Sequence, residues 1–319
     1  MSLIKNRLFY LISLFLCIYI SAVLAEDTNI VKKNFRIGIV KTSEIIQYEE
    51  PVPGFKKFVQ NRIKADFYEV ALPKNVSESE KRIRNFIQCD LYLAIGDRAA
   101  IALKKIIKNK PIIVIMVLNW DNLKITSDNI TGITLEIPQK PLFSTYQNFF
   151  PKMKNIGVIY HKQRTQNIID RASKAAAELG FELVTAQINS PLEMERAFDK
   201  ISKKIDCFWM IADPVVYGYN SPFERIIKSC RTLKIPFFTF SEKFVEAGGL
   251  VAVSPVYSDM GIQAGDYAIK ILTGAKKVSE LPVIPASAII ALNDTVAKEL
   301  NLSYSKMIYS LVHRIIESQ

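Results

Sequence analysis

"KNIGVIYHKQRTQNIIDRASKAAAELGFELVTAQI" (residues 154–188) reads as a short apolar strand, a helix stopped by Gly180, and a second strand. A strand that is apolar nearly throughout and hands over directly to a helix belongs to a parallel sheet covered on both faces. The same opening occurs earlier, at "RIGIV" (36–40), and there too helix-period segments alternate with short apolar runs.

Between the two openings lie strand candidates at 67–71, 89–96, 111–117 and 129–135. They are separated by "PGFKKFVQNRI" (53–63), "SESEKRIRNFI" (77–87) and "DRAAIALKKII" (97–107), whose apolar residues recur every three or four positions. After residue 188, "SPLEMERAFDKISKK" (190–204) starts with Ser190, Pro191 and Glu193, a capping box with proline at its favoured place. "IDCFWMIAD" (205–213), "PFERIIKSCRTLK" (222–234) and "IPFFTF" (235–240) continue the alternation. Strand–helix pairs at 249–274 and 285–303 close the chain and imply a crossing back. The fold class is therefore α/β, two doubly wound parallel-sheet lobes with a ligand cleft at the carboxyl ends of the strands. The expected boundaries are 34–136 plus 251–280 for lobe one, and 137–250 plus 281–319 for lobe two.

Residues 1–25 differ from the rest. Lys5 and Arg7 precede the apolar run Leu8–Ile20, and "SAVLA" (21–25) ends on small residues. This is the pattern of a cleaved export signal, and the run is shorter than the roughly 20 residues of a membrane span. An uncleaved membrane anchor is the alternative. Without these two bases the formal charge drops from +11 to +9. The remaining lysines are scattered in pairs and are not interleaved with exposed aromatics, so nucleic acid is not an expected partner. Cys89, Cys207 and Cys230 remain, an odd number without metal spacing, and read as buried free thiols.

The loops after strands are where a site would form. Loop 41–55 carries Thr42, Ser43 and Tyr48; the third strand is followed by Asp97 and Arg98; the fourth by Asn119 and Trp120. In the second lobe the corresponding positions are His161, then Asp213, Tyr217 and Tyr219, then Ser241. Each has a plain structural reading: Asp97 as a helix cap, Asp213 before Pro214 as a turn residue, the tyrosines as loop aromatics, His161 as a packed histidine. A GxSxG elbow, Walker A loop, HExxH and GxGxxG are all missing from the sequence. Enzymatic activity, a cofactor and a bound metal are not expected.

Two stretches carry a resemblance. "DNITGITLEIPQKPLFSTYQNFFPKMKNIGVIYHKQRTQN" (128–167) and "IPFFTFSEKFVEAGGLVAVSPVYSDMGIQAGDYAIKILTG" (235–274) resemble the substrate-binding components of ABC transporters of the tryptophan/tyrosine type. That resemblance implies a type I periplasmic-binding-protein fold and an exported monomer in the periplasm. It further implies a small-molecule ligand, often an aromatic amino acid, and an ABC permease as membrane partner. A sensory protein presenting its liganded form to a receptor is the alternative function. An acid in the loop of Asp213 is common in the family and suits a ligand ammonium. The family's small or hydroxyl residue after the third strand is replaced here by "GDRAA" (96–100), where Asp97 disfavours a ligand carboxylate unless Arg98 takes it. From the residues themselves, Tyr48, Trp120, Tyr217 and Tyr219 are expected to flank an apolar or ring-bearing ligand, with Asp97 and Asp213 toward cationic nitrogen.

Overall fold

The computed structural model describes residues 33–86, 88–217 and 222–317. The leader at 1–25 and Tyr219 lie outside the described residues. Along the chain, β1 (Phe35–Lys41) leads into a short α1 (Ile46–Glu49), α2 (Pro51–Gln60) and β2 (Ala65–Ala71). Next are α3 (Val76–Arg84), β3 (Leu91–Ile95), α4 (Asp97–Ile106), β4 (Ile112–Val117) and β5 (Ile130–Thr134). α5 (Gln139–Phe149), β6 (Asn155–His161), α6 (Lys162–Glu178), β7 (Glu182–Ile188) and α7 (Met194–Ser202) follow. Then come β8 (Cys207–Trp209), α8 (Pro214–Tyr217), α9 (Phe223–Thr232), β9 (Phe237–Thr239) and α10 (Glu242–Glu246). The last elements are β10 (Val251–Pro255), α11 (Tyr257–Leu272), β11 (Ile284–Pro285), β12 (Ala288–Asn293), α12 (Asp294–Glu299), α13 (Lys306–Tyr309) and β13 (Arg314–Ile316).

These elements form two compact units, one ending at Ile133 and resuming over Tyr257–Ile284, the other comprising Thr134–Val256 and the chain from Pro285. Unit one holds a sheet in the order β11-β5-β4-β3-β1-β2, with β1 parallel to both β2 and β3. Every residue of β3 and β4 is buried, which is why both read as unbroken apolar runs. Val40, Ala94, Ile112 and Val114 pack on Ala99, Ala100 and Leu103 of α4.

α2 and α11 also belong to unit one, and they approach closely because glycines line their contact. A Cβ on Gly261 would lie 1.9 Å from the carbonyl oxygen of Pro51, and one on Gly54 2.7 Å from that of Ser258. Phe55 and Val59, both fully buried, are carried inward by this helix.

Unit two holds the order β13-β12-β10-β9-β8-β6-β7; β10 and β12 are antiparallel, while β6, β7, β8 and β9 run parallel. The strand at 251–255, expected in lobe one, belongs here. Its Val251 and Ala252 lie beside Phe238 and Thr239 of β9, and β12 covers its other side, so both rows of backbone groups are satisfied. Conversely 281–284, expected in lobe two, stays with unit one. There the Thr131 hydroxyl donates to the Leu281 carbonyl (2.8 Å) and the Tyr267 hydroxyl to the Pro282 carbonyl (2.8 Å).

The capping box before α7 is shifted by one residue. Ser190 Oγ accepts from Leu192 N (3.3 Å), but Glu193 reaches back to Asn189 N (3.2 Å) because a 3-10 turn, Pro191–Glu193, precedes the α-helix. Beyond residue 303, Tyr304, Ile308, Tyr309 and Val312 pack on the core of unit two, and β13 completes its sheet. His313 Nδ1 accepts from Ile290 N (3.2 Å), and the Arg314 guanidinium pairs with Glu242 and Glu246 of α10.

Substituting Gly261→Ala forces a methyl group against backbone, so chemical denaturation is expected to show a loss of about 2–3 kcal/mol or more. A change under 0.5 kcal/mol would show that the two helices separate without cost.

Candidate functional site

In a doubly wound sheet the ligand-binding position is the switch point, where the first strand runs between the second and the third. In unit one that point is the carboxyl end of β1, flanked by β2 and β3; in unit two it is the carboxyl end of β6, flanked by β7 and β8.

At the unit-one switch point Thr42, Tyr48, Gly96 and the first turn of α4 meet. Thr42 is buried; its backbone N–H continues the sheet to Ile95 O (2.9 Å) and its hydroxyl accepts from Ala99 N (3.2 Å). The helix is therefore capped by a hydroxyl from another strand, and Asp97, expected at the cap, is the first helical residue. Gly96 has φ 87°, and a Cβ there would meet Thr42 Oγ1 at 2.5 Å and the Tyr48 phenol oxygen at 2.9 Å. Only glycine fits on both counts. Tyr48 is half-buried; burial first, then the Asp97 charge, pushes its phenol up.

Asp97 and Arg98 part company. Asp97 is exposed, its Oδ1 accepting only its neighbour's backbone N–H, from Arg98 (2.8 Å), among the described residues. The Arg98 guanidinium donates to the Pro73 carbonyl beyond β2 and approaches Ser79 Oγ (3.5 Å). It ties down the loop at 73 and is not turned toward the switch point. Tyr257, the first residue of α11, also belongs here: it acts electrostatically on Tyr48 and is itself pushed up by burial and then by Glu50. Nothing in its sequence context singled it out except its place just after β10. Ser43 is half-buried beside Thr42.

Glu49 has a structural partner. Lys41, at the end of β1, pairs with Glu49 (2.8 Å) and Glu69 (2.9 Å), and Glu69 also pairs with Lys56. For Lys41 burial opposes the charge, but the two carboxylates win and the ammonium is raised above its ordinary value. For Glu69 burial again opposes, but hydrogen bonds from Lys56 and Lys41 leave it below its ordinary 4.5.

Trp120, expected beside a ligand, is a buried residue of the unit-one core. The pairing of β3 with β4 ends at Ile95↔Ile115, and left-handed Met116 (φ 61°) and Asn119 (φ 55°) then redirect the chain. The indole turns into the core and lies against Gly132 of β5, where a Cβ would meet it at 3.0 Å.

In unit two, Asp213 is fully buried. Its Oδ2 accepts from the backbone N–H of His161 (2.9 Å) and from the hydroxyl of Thr165 (2.5 Å). Its Oδ1 accepts from the N–H groups of Val215 (2.9 Å) and Val216 (3.4 Å). A carboxylate has about four lone-pair sites, and four donors of its own chain occupy them here. Asp213 thus fastens the end of β6 to the first turn of α8, which leaves no site for the ligand ammonium expected of it. His161 remains half-buried, and its Nδ1 is enclosed with no partner among the described residues. Tyr217 packs on Phe240 (5.1 Å between ring centres) and Phe244 (6.2 Å), and Phe244 on Phe223 (5.0 Å). The sequence reading missed Phe240 and Phe244, which adjoin Ser241, itself at the start of α10 without a side-chain cap bond.

Cys89, Cys207 and Cys230 are buried, with no disulfide between them, and burial pushes the Cys89 thiol up to about 11. No cluster of three or more His, Cys, Asp or Glu able to hold a metal occurs among the described residues. No helix among them is long and apolar enough to cross a membrane.

Two outcomes follow. Asp213→Ala strands buried N–H groups and is expected to cost about 3 kcal/mol in denaturant unfolding; a loss below 1 kcal/mol would refute the fastening role. Because Glu69 is lowered, its pairing stabilises above its ordinary 4.5 and fades as pH falls through its folded value. Glu69→Gln should flatten the acid limb of a melting-temperature profile below that pH, and an unaltered limb would contradict the network.

Comparison with known proteins agrees with this architecture. A tyrosine-binding protein of Clostridioides difficile (strain R20291) is 26% identical over 289 residues, 85% of this chain and 82% of that protein. The ligand-free, open structure of a substrate-binding protein with adhesive properties from Clostridium difficile superposes with a TM-score of 0.73 at 23% identity, covering 89% of this chain and all of that one. A Streptococcus pneumonia ABC domain in complex with L-Trp gives 0.61 at 21% identity, over 88% of this chain and all of the other. The fold is that of the type I periplasmic binding proteins. Residues 61–315 match the family model described as ABC transporter substrate binding protein, and the chain belongs to that family.

Proposed function

We propose that this protein is the exported, periplasmic solute-binding component of an ABC importer and that its ligand is an aromatic amino acid. It would hand that ligand to a permease in the membrane. The observation that carries the reading is the similarity along most of both chains to a protein named for tyrosine binding, supported by the L-Trp complex of a structural neighbour. A family defined by binding substrate for transport is not an enzyme class.

The burial and bonding of the two acids support one of them as the partner of the ligand's ammonium. Of the two acids at the switch points, Asp213 is saturated and buried, whereas Asp97 is exposed and carries a single bond from its neighbour's N–H. We assign the ammonium to Asp97, with the rings of Tyr48 and Tyr257 beside it. An ammonium held over an aromatic face gains about 0.5–2 kcal/mol beyond the ion pair.

Calorimetry of the mature protein with L-tyrosine and L-tryptophan tests the proposal. Binding of at least one is expected, with Asp97→Asn weakening it tenfold or more at an unchanged melting temperature. Absence of heat with either amino acid would overturn the ligand class. Equal affinity of the variant would overturn the role of Asp97.

A further inference from the structure

β7 is an edge of the unit-two sheet: its only strand partner among the described residues is β6. Glu182 N donates across to Lys154 O (2.8 Å), so that residue's backbone groups face β6. Strand alternation then turns the N–H and C=O groups of Leu183, Thr185 and Gln187 to the open side. Asn189 follows the same parity, its N–H leaving the sheet for Glu193.

Along this edge, between β7 and α7, runs an open groove of about 390 Å³. Val184, Ala186, Ala197 and Ile201 contribute apolar atoms to it. Arg196, Lys200 and Lys204 stand at four-residue spacing along and just past α7, which makes them one stripe on the groove's rim. All three are exposed, and none is in an ion pair among the described residues. The acid of the groove, Glu193, is engaged with the Asn189 N–H.

An unpaired strand edge, a groove running beside it and an uncompensated row of three cations are the elements of strand-addition recognition, in which backbone bonds give affinity and flanking charge selects the partner. We propose that this edge binds an extended acidic segment of a partner protein, which adds to the sheet beside β7 with its carboxylates against Arg196, Lys200 and Lys204. The site is independent of the switch points and of the ligand assigned to them.

The probe is the peptide Glu-Val-Glu-Thr-Glu-Val-Glu amide carrying fluorescein on its N-terminal amine through a glycine spacer, titrated with the mature protein and read by anisotropy. Saturable binding is expected, with no binding of the peptide in which lysine replaces every glutamate. The pair Lys200→Glu and Lys204→Glu should weaken it at least tenfold. Thr185→Pro removes one outward N–H from an edge that tolerates proline, and should abolish it while the melting temperature stays within a few degrees. No anisotropy change up to millimolar protein would overturn the proposal. So would undiminished binding by folded Thr185→Pro, or equal displacement by heparin and by unlabelled peptide, since either outcome reduces the groove to a nonspecific sink for anions.

Discussion

A fully buried carboxyl group must have its oxygens met by donors, and around Asp213 that requirement organises the carboxyl edge of unit two. Four donors converge from three places: the end of β6, the first turn of α6, and the turn opening α8. Removing any one strands a buried polar atom, at a cost comparable to a sizeable share of a domain's net stability. The loop that carries Tyr217 is thereby set relative to β6, and the ring of Tyr217 can settle on Phe240 and Phe244.

Unit one reaches a similar end by lighter means. A neutral hydroxyl, Thr42 Oγ1, crosses from the strand end to the α4 N-terminus, and the absence of a side chain at Gly96 lets the Tyr48 phenol approach. With the N-terminal donor taken by Thr42, Asp97 is left exposed at the switch point. One unit consumes its acid in architecture and the other presents it.

The alternation of apolar strands and periodic helices made the fold legible, because a strand buried on both faces leaves an unbroken apolar run in the sequence. The crossings were less legible. Whether 251–255 joins one sheet or the other depends on which neighbours satisfy its two backbone rows, and a run such as "LVAV" is compatible with either. At the site, the positions after strands were identified, but not what each side chain does. Trp120 looked available because the sequence does not show that Met116 and Asn119 adopt left-handed conformations and turn the chain back to the core. Asp213 looked like a charge partner because its four donors, three of them backbone N–H groups from residues 161, 215 and 216, leave no mark on residue types. Tyr257 escaped notice because it sits more than two hundred residues from Tyr48 and joins it only through the return of α11 to unit one.

The central claim is that Asp97, and not Asp213, meets the ligand's ammonium. It is tested most directly by a calorimetric cycle of wild type and Asp97→Asn against L-tyrosine and its analogue lacking the amino group, 3-(4-hydroxyphenyl)propionate. The account predicts that the analogue binds wild type far more weakly than L-tyrosine does, and that the variant no longer distinguishes the two. Retention of the full preference for L-tyrosine by Asp97→Asn would contradict it.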